Sequence, residues 1–282
     1  PLALSSIGMG GFLAAANDAF QLDIFALCIA TTIFLQITSN LANDYGDSIH
    51  GADGEERKGP SRVVQSGLIT ASQMRNAVII FVALCLVSGL SLLFVAFGLN
   101  WNAILFFLGL GVLSILAAVG YTIGRKPYGY IGLGDLSVLI FFGLVGVLGS
   151  YYLFTKSFSL YEILPALSCG FFSIAVLNIN NIRDIDSDRS AGKFSIPVRI
   201  GRKNAIIYHW FLLIAGTAAS FVYTFLNYKS PQQLIFLFVL PLIVKNGLAI
   251  KRKPSEELDP YLKQMAVTTL LFVLLFGLGI VI

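Results

Sequence analysis

Charge is what this 282-residue sequence has least of: nineteen Lys and Arg and fifteen Asp and Glu amount to 12% of it, where a water-soluble domain carries about 25%. Hydrophobic residues make up 56% and the mean hydropathy is +0.81, which excludes a water-soluble globule. Histidine is nearly absent, with two residues, and the three cysteines, Cys28, Cys85 and Cys169, lie far apart inside apolar runs. That spacing excludes a zinc or dithiol site and leaves the cysteines as small buried hydrophobes. The net charge is +4, but no basic tract is long enough to follow a phosphate backbone, so no nucleic-acid partner is expected.

What the sequence has instead is a series of apolar runs, at residues 2–16, 22–41, 76–99, 103–123, 133–154, 161–178, 204–226, 234–248 and 265–282. A spanning helix needs about 20 mostly apolar residues. The runs predict an all-α, polytopic membrane protein of nine transmembrane helices around a central cavity, folded as one domain over 1–282 with its main polar loops at 43–75 and 179–203. The chain opens on Pro1, and its first run lacks the charged start and cleavage pattern of a signal peptide, so it is read as a truncated first span.

Seventeen of the nineteen Lys and Arg fall in or beside alternate connections, 43–75, 124–132, 179–203 and 249–264, while Lys156 and Lys229 fall on the other side. Cytoplasmic loops retain Lys and Arg, so this face is expected to be cytoplasmic, with the starting end inside and Ile282 outside. Gly143, Gly146 and Gly149 in one run, and Gly109 and Gly111 in another, are spaced for close helix packing. His209, beside Trp210, reads as an interfacial residue rather than a ligand, and His50 lies alone in a polar loop.

Two acidic segments stand out against this background. The second run ends in Asn40-Leu-Ala-Asn43-Asp44-Tyr45-Gly46-Asp47, and the sixth in Asn181-Ile-Arg183-Asp184-Ile-Asp186-Ser-Asp188. At about 100° per residue, Asn40, Asn43, Asp44 and Asp47 share a stripe about 100° wide, and Asn181, Asp184 and Asp188 one of about 60°. Both stripes fall on the basic side of the membrane, so they can converge. A solvated helix end explains one such cluster, but two with matching spacing on one face point to a site. Hard oxygen ligands without neighbouring His or Cys suit Mg²⁺, which keeps waters and takes one or two carboxylates plus phosphate oxygens. Divalent ions would bridge carboxylates to a diphosphate that carboxylates alone repel, with nearby basic side chains on the outer oxygens.

These segments, with Arg57-Lys-Gly59-Pro60-Ser-Arg62-Val-Val-Gln65-Ser-Gly67, the continuation through Ser190-Ala-Gly192-Lys193, and Tyr121-Thr122 through Tyr130-Ile-Gly132-Leu-Gly134-Asp135, resemble the UbiA superfamily of intramembrane aromatic prenyltransferases. The resemblance runs over the whole chain and is strongest to the branch whose acceptor is 1,4-dihydroxy-2-naphthoate. It implies a Mg²⁺-dependent transfer of a polyprenyl group from polyprenyl diphosphate to that acceptor, with loss of CO₂ and diphosphate, in a bacterial inner membrane and facing the cytoplasm. Carried over residue by residue, Asp44, Asp47, Asp184 and Asp188 would hold the metal, with Asn40 or Asn43 assisting. Arg62, Gln65 and Lys193 would contact diphosphate, and Asn181 and Arg183 would join the substrate contacts. Lys126 and Asp135 would hold the acceptor, and Tyr121 would wall the allylic cation with its ring. One position departs: Gly51 stands where the superfamily's first motif usually has a further Asp, with Asp53 two residues on.

Two alternatives stay open: a related enzyme acting on 4-hydroxybenzoate or homogentisate, and an ion-coupled transporter. The Asp44-Tyr45-Gly46-Asp47 form and the Gly132-Leu-Gly134-Asp135 turn argue against the first. A transporter would be expected to show repeated halves with helices broken at the midplane, whereas these carboxylates sit at helix ends on one side.

Overall fold

The computed structural model describes residues 1–49, 64 and 67–282. Ten helices account for nearly all of it: α1 (Leu2–Ala15), α2 (Leu22–Ile49), α3 (Ala71–Phe97), α4 (Trp101–Gly120), α5 (Gly134–Thr155), α6 (Leu160–Arg183), α7 (Ile185–Ser190), α8 (Ile196–Leu226), α9 (Pro231–Arg252) and α10 (Asp259–Val281). Eight of these are long and apolar enough to cross a membrane. The ninth expected span, α1, has 14 residues, short of the length that a bilayer core requires. With its apolar surface, this is a multi-pass membrane protein.

Several helices extend past their apolar runs at the basic face: α2 continues to Ile49, α6 to Arg183 and α9 to Arg252, while α3 begins at Ala71, α8 at Ile196 and α10 at Asp259. Polar residues stay helical there because the backbone bonds of an established helix propagate into them. The α2 extension carries the first acidic segment, and the second follows the end of α6. Helix α8 bends at Gly201 (φ 76°, ψ 159°), and the middle of α5, Leu139–Gly149, is wound as a π-helix.

The core lies between α1, α6, α8, α9 and α10, where Phe172, Phe236, Phe272 and Phe276 are fully buried. Phe172 and Phe236 meet Phe272 edge-on at centroid distances of 4.9 and 5.8 Å. Large side chains on the outside of α3 and α4, such as Val87, Leu105, Phe106 and Leu116, are exposed, as a lipid-facing surface requires. Glycine spacing behaves differently in the two runs that carry it. A Cβ on Gly143 would lie 2.9 Å from the Ala166 carbonyl oxygen, and one on Gly146 2.8 Å from Ser6 Cβ, so both mark close crossings. Gly109 and Gly111 face open space. All three cysteines are buried and free.

His209 is not interfacial. It is fully buried, and its Nε2 lies 3.0 Å from Asn246 Oδ1. Asn246 in turn donates to the Tyr261 carbonyl oxygen at 2.9 Å, so the imidazole belongs to a polar network joining α8, α9 and α10. Its neighbour Trp210 packs on Gly247, and the tight approach of α9 draws the pair inward.

Candidate active site

Asp44 and Asp47 lie near the end of α2, one helical turn apart, and both are buried. Two contacts set this stretch of helix. A Cβ on Gly46 would come within 2.4 Å of Thr122 Oγ1 and 2.7 Å of the Thr122 carbonyl carbon, so only glycine permits this approach. Thr122 Oγ1 then donates to the Ala42 carbonyl oxygen at 2.9 Å and to Asn43 Oδ1 at 3.3 Å. Asn40 Oδ1 accepts from Gln36 Nε2 at 3.2 Å.

The second segment departs from the expected single stripe. Helix α6 ends at Arg183, Asp184 takes φ −100° and ψ 16°, and the six-residue α7 follows. Arg183 braces the break. Its Nε and Nη2 donate to Asp184 Oδ1 and Oδ2 at 2.8 and 2.6 Å, and Nη1 reaches Asp259 at the start of α10. The Asp188 N–H still donates to the Asp184 carbonyl oxygen at 2.8 Å, so the two aspartates remain a turn apart. Asn181 Oδ1 is buried and has no hydrogen-bond partner.

A turn in the 127–135 segment joins the two halves. The Tyr130 hydroxyl donates to Asp47 Oδ1 at 2.9 Å, and the Tyr130 carbonyl oxygen accepts from the Phe194 N–H at 2.8 Å. Gly132, at φ 82°, lets the chain pass the Phe194 carbonyl oxygen, which a Cβ would meet at 2.7 Å. Arg199 clamps both strands of this contact, donating to the carbonyl oxygens of Phe194 and Ile131 at 3.0 and 2.8 Å. Lys193 Nζ sits 3.3 Å from Asp188 Oδ1 and 6.0 Å from the centre of the Tyr130 ring.

The electrostatics record this convergence. Burial pushes the Asp188 carboxyl up to about 6, against Lys193, with Asp184 and Asp47 adding to the rise. Burial alone would lower the Lys193 ammonium, but Asp188, Tyr121 and Asp47 hold it above the ordinary lysine range. Burial likewise pushes the Tyr121 hydroxyl up to about 12, with Lys193 opposing, so it stays protonated and can donate.

A cavity of about 590 Å³ opens from this cluster into the bundle. Asn40, Asn43, Asp47, Tyr121, Asn180 and Lys193 line its basic end, and Ser6, Cys28, Leu93, Ser150 and Leu153 the other. Asp44, Asp184, Asp188 and Asn181 are buried outside its lining. Arg183 also lies outside it, with its donors spent on Asp184, Asn180 and Asp259. The turn expected to hold the acceptor is arranged differently. Lys126 is exposed, and Asp135 accepts from the Tyr208 hydroxyl at 2.8 Å; neither lines the cavity. Arg62 and Gln65, with Asp53, Arg57, Lys58 and His50, lie outside the described residues.

Tyr130, Thr122, Asn180 and Asp259 are absent from the sequence-based list of site residues. Thr122 and Tyr130 carry a signal, their place in the Tyr/Gly-rich stretch 121–135; Asp259 reaches the site only through the fold. Among the described residues no three His, Cys, Asp or Glu side chains are grouped closely enough to cage a metal ion. Buried carboxylates split over two segments, with an orphaned amide oxygen, fit a Mg²⁺ ion that takes its remaining ligands from water and phosphate.

The chain is similar over its whole length to known proteins. The 1,4-dihydroxy-2-naphthoate octaprenyltransferase of Haemophilus influenzae is 44% identical over 286 residues, covering 100% of this chain and 92% of that protein. The apo structure of a UbiA homologue from Aeropyrum pernix superposes with a TM-score of 0.69 at 19% identity, covering 100% and 98% of the two chains. A UbiA homologue from Archaeoglobus fulgidus, solved with DMAPP and Mg²⁺, superposes with a TM-score of 0.62 at 16% identity, covering 100% and 96%. The model of the UbiA prenyltransferase family matches residues 3–274, and the chain belongs to that family.

Proposed function

We infer that this protein transfers a polyprenyl group from an allylic polyprenyl diphosphate to 1,4-dihydroxy-2-naphthoate, releasing diphosphate and CO₂, as a step of menaquinone biosynthesis. The observation that carries this reading is the 44% identity along the full chain to the naphthoate octaprenyltransferase. The site's chemistry supports it. When bound, Mg²⁺ supplies neutralisation of the charge developing on the departing diphosphate, and the residues to hold it are Asp44, Asp47, Asp184 and Asp188.

The chain's own groups do the rest. The Lys193 ammonium faces the cavity and stays charged, so it can take an outer diphosphate oxygen as the allylic C–O bond breaks. Arg62 and Gln65 are proposed as further diphosphate contacts. Asn40 and Asn43 orient the head group from the other wall. Tyr121 lines the cavity at its basic end, and in this reading its π-face stabilises positive charge on the allylic carbon while its hydroxyl donates to an acceptor oxygen. Asn181 contributes its unpaired oxygen. Arg183 positions Asp184 rather than touching substrate, and Asp135 accepts from the Tyr208 hydroxyl behind the cavity lining. The largely apolar cavity accommodates the prenyl chain and keeps water from quenching the cation. Seventeen basic residues on one face support a cytoplasm-facing site in a bacterial inner membrane.

The test is incubation of purified protein with Mg²⁺, octaprenyl diphosphate and a panel of aromatic acids, followed by mass analysis. The expected product is prenylated dihydroxynaphthalene lacking the carboxyl group. Product from 4-hydroxybenzoate with none from dihydroxynaphthoate would overturn the acceptor assignment.

A further inference from the structure

We infer that Asp259, at the start of α10, is a positioning residue of the metal site. By sharing the Arg183 guanidinium, it leaves Asp184 with enough negative charge to bind a divalent ion. The inference rests on the reading above that Asp184 holds the metal.

Arg183 is 5% exposed and stands between two carboxylates. Nε and Nη2 form a fork on Asp184 at 2.8 and 2.6 Å, Nη2 also donates to Asn180 Oδ1 at 2.8 Å, and Nη1 pairs with Asp259 Oδ1. A guanidinium has five N–H donors in a fixed plane, and this arrangement engages all three of its nitrogens. Charge counting gives the consequence. Arg183 and Asp184 alone would be a neutral pair, closed on itself and weakly attractive to a cation. With Asp259 the trio carries one net negative charge, and the fork on Asp184 leaves one lone pair on each of its oxygens free.

Asp259 acts at a distance, since it does not line the cavity. Its place is built into the fold. Two residues on, the Tyr261 carbonyl oxygen accepts from Asn246, which also meets His209. Gln264 donates to the Leu242 carbonyl oxygen at 3.1 Å, and Ser255, bound by Arg202 at 2.7 Å, reaches back to the Ile182 carbonyl oxygen at 3.4 Å. The buried polar network of α8, α9 and α10 thereby fixes the register that brings Asp259 to Arg183. A carboxylate in the first turn of a helix also has an ordinary role, complementing the helix dipole, and that role affects stability but not metal binding.

The test measures Mn²⁺ binding, by the loss of free-ion EPR signal, to the full-length protein in detergent with inorganic diphosphate present. Asp259→Asn and Asp259→Ser are expected to weaken Mn²⁺ binding about tenfold, the scale of a lost outer partner to a metal ligand. The half-saturating Mg²⁺ concentration for turnover should rise in parallel while kcat at saturating Mg²⁺ holds, and Asp259→Glu should restore both. Unchanged Mn²⁺ binding in the charge-removing variants overturns the proposal, as does a fall in thermal stability and kcat with the metal dependence unmoved. Asp184→Ala separates the two readings: Mn²⁺ binding that survives it sinks the metal assignment itself, whereas its loss there with no change in Asp259→Asn sinks only the role of Asp259.

Discussion

Asp44 and Asp47 ride on one unbroken helix, whereas Asp184 occupies the break between α6 and α7 and Asp188 follows on a separate short helix. Among the described contacts, the first pair has a steric fit and a hydroxyl donor: Gly46 against Thr122, and the Tyr130 hydroxyl on Asp47. The second is set by ion pairs, with Arg183 on Asp184 and Lys193 on Asp188. A continuous helix can aim its carboxylates only by rotation and rise. A broken one can turn each carboxylate separately and supply cations from its own segment. Substitutions at these contacts should therefore fail in different ways, by misfit at Gly46 and by charge at Arg183 and Lys193.

The largest effect tests what the halves share. Asp44→Ala and Asp184→Ala should each lower turnover about a thousandfold or more in protein that still folds, read by product formation and thermal denaturation. Activity retained in either would mean that the halves are not equivalent ligands. Next comes Gly46→Ala, whose methyl group has no room beside Thr122. It should cost about 1–3 kcal/mol of stability, visible as a lowered Tm, and shift Asp47 from its partners. A smaller loss is expected for Tyr130→Phe, which keeps the ring beside Lys193 but removes one donor from Asp47: about a tenfold rise in half-saturating Mg²⁺ with little change in Tm. An equal drop in Tm and Mg²⁺ affinity in both variants would erase the distinction between steric and polar support.

The mildest test is pH, and it addresses the second half. The Asp188 carboxyl lies at about 6, and a divalent ion needs the deprotonated form. The half-saturating Mg²⁺ concentration should about double as pH falls to 6 and rise about tenfold per unit below it. Stability of the metal-free protein should run the other way. The native carboxyl binds its proton more tightly than the unfolded one, with its ordinary value of 3.8, so this group's contribution falls as pH rises from about 4 to 6. A flat Mg²⁺ dependence between pH 5 and 7 would remove Asp188 from the ligand set.

Much of this architecture is legible in the sequence because lipid makes severe demands. Nine apolar runs and the partition of basic residues anticipate the eight spanning helices, the shorter α1 and the face on which the site lies, since a charge in the wrong place is costly. The two acidic segments are legible as a pair, since a solvated helix end explains one such cluster but not two with matching spacing on one face. What a single sequence hides is tertiary. Periodicity continues Asn181, Asp184 and Asp188 along one helix because it cannot register the break at Asp184, or that Asp259 of a distant helix meets Arg183 there. Lys126 and Asp135 looked like a pair in sequence, yet one faces solvent and the other turns to Tyr208. His209, beside a tryptophan near a run's end, has the local signature of an interfacial residue, and only the crossing of α8 with α9 makes it core.

The link from Arg183 to Asp259 joins residues 76 positions apart, which gives it a place in time as well as in space. A nascent chain lengthens by about 5–20 residues per second, so α6 enters the membrane on the order of ten seconds before α10 follows. In that interval Arg183 has Asp184 to itself, and the two form a neutral pair. Catalytic competence arrives with α10, whose insertion is both the closing of the bundle and the release of a ligand.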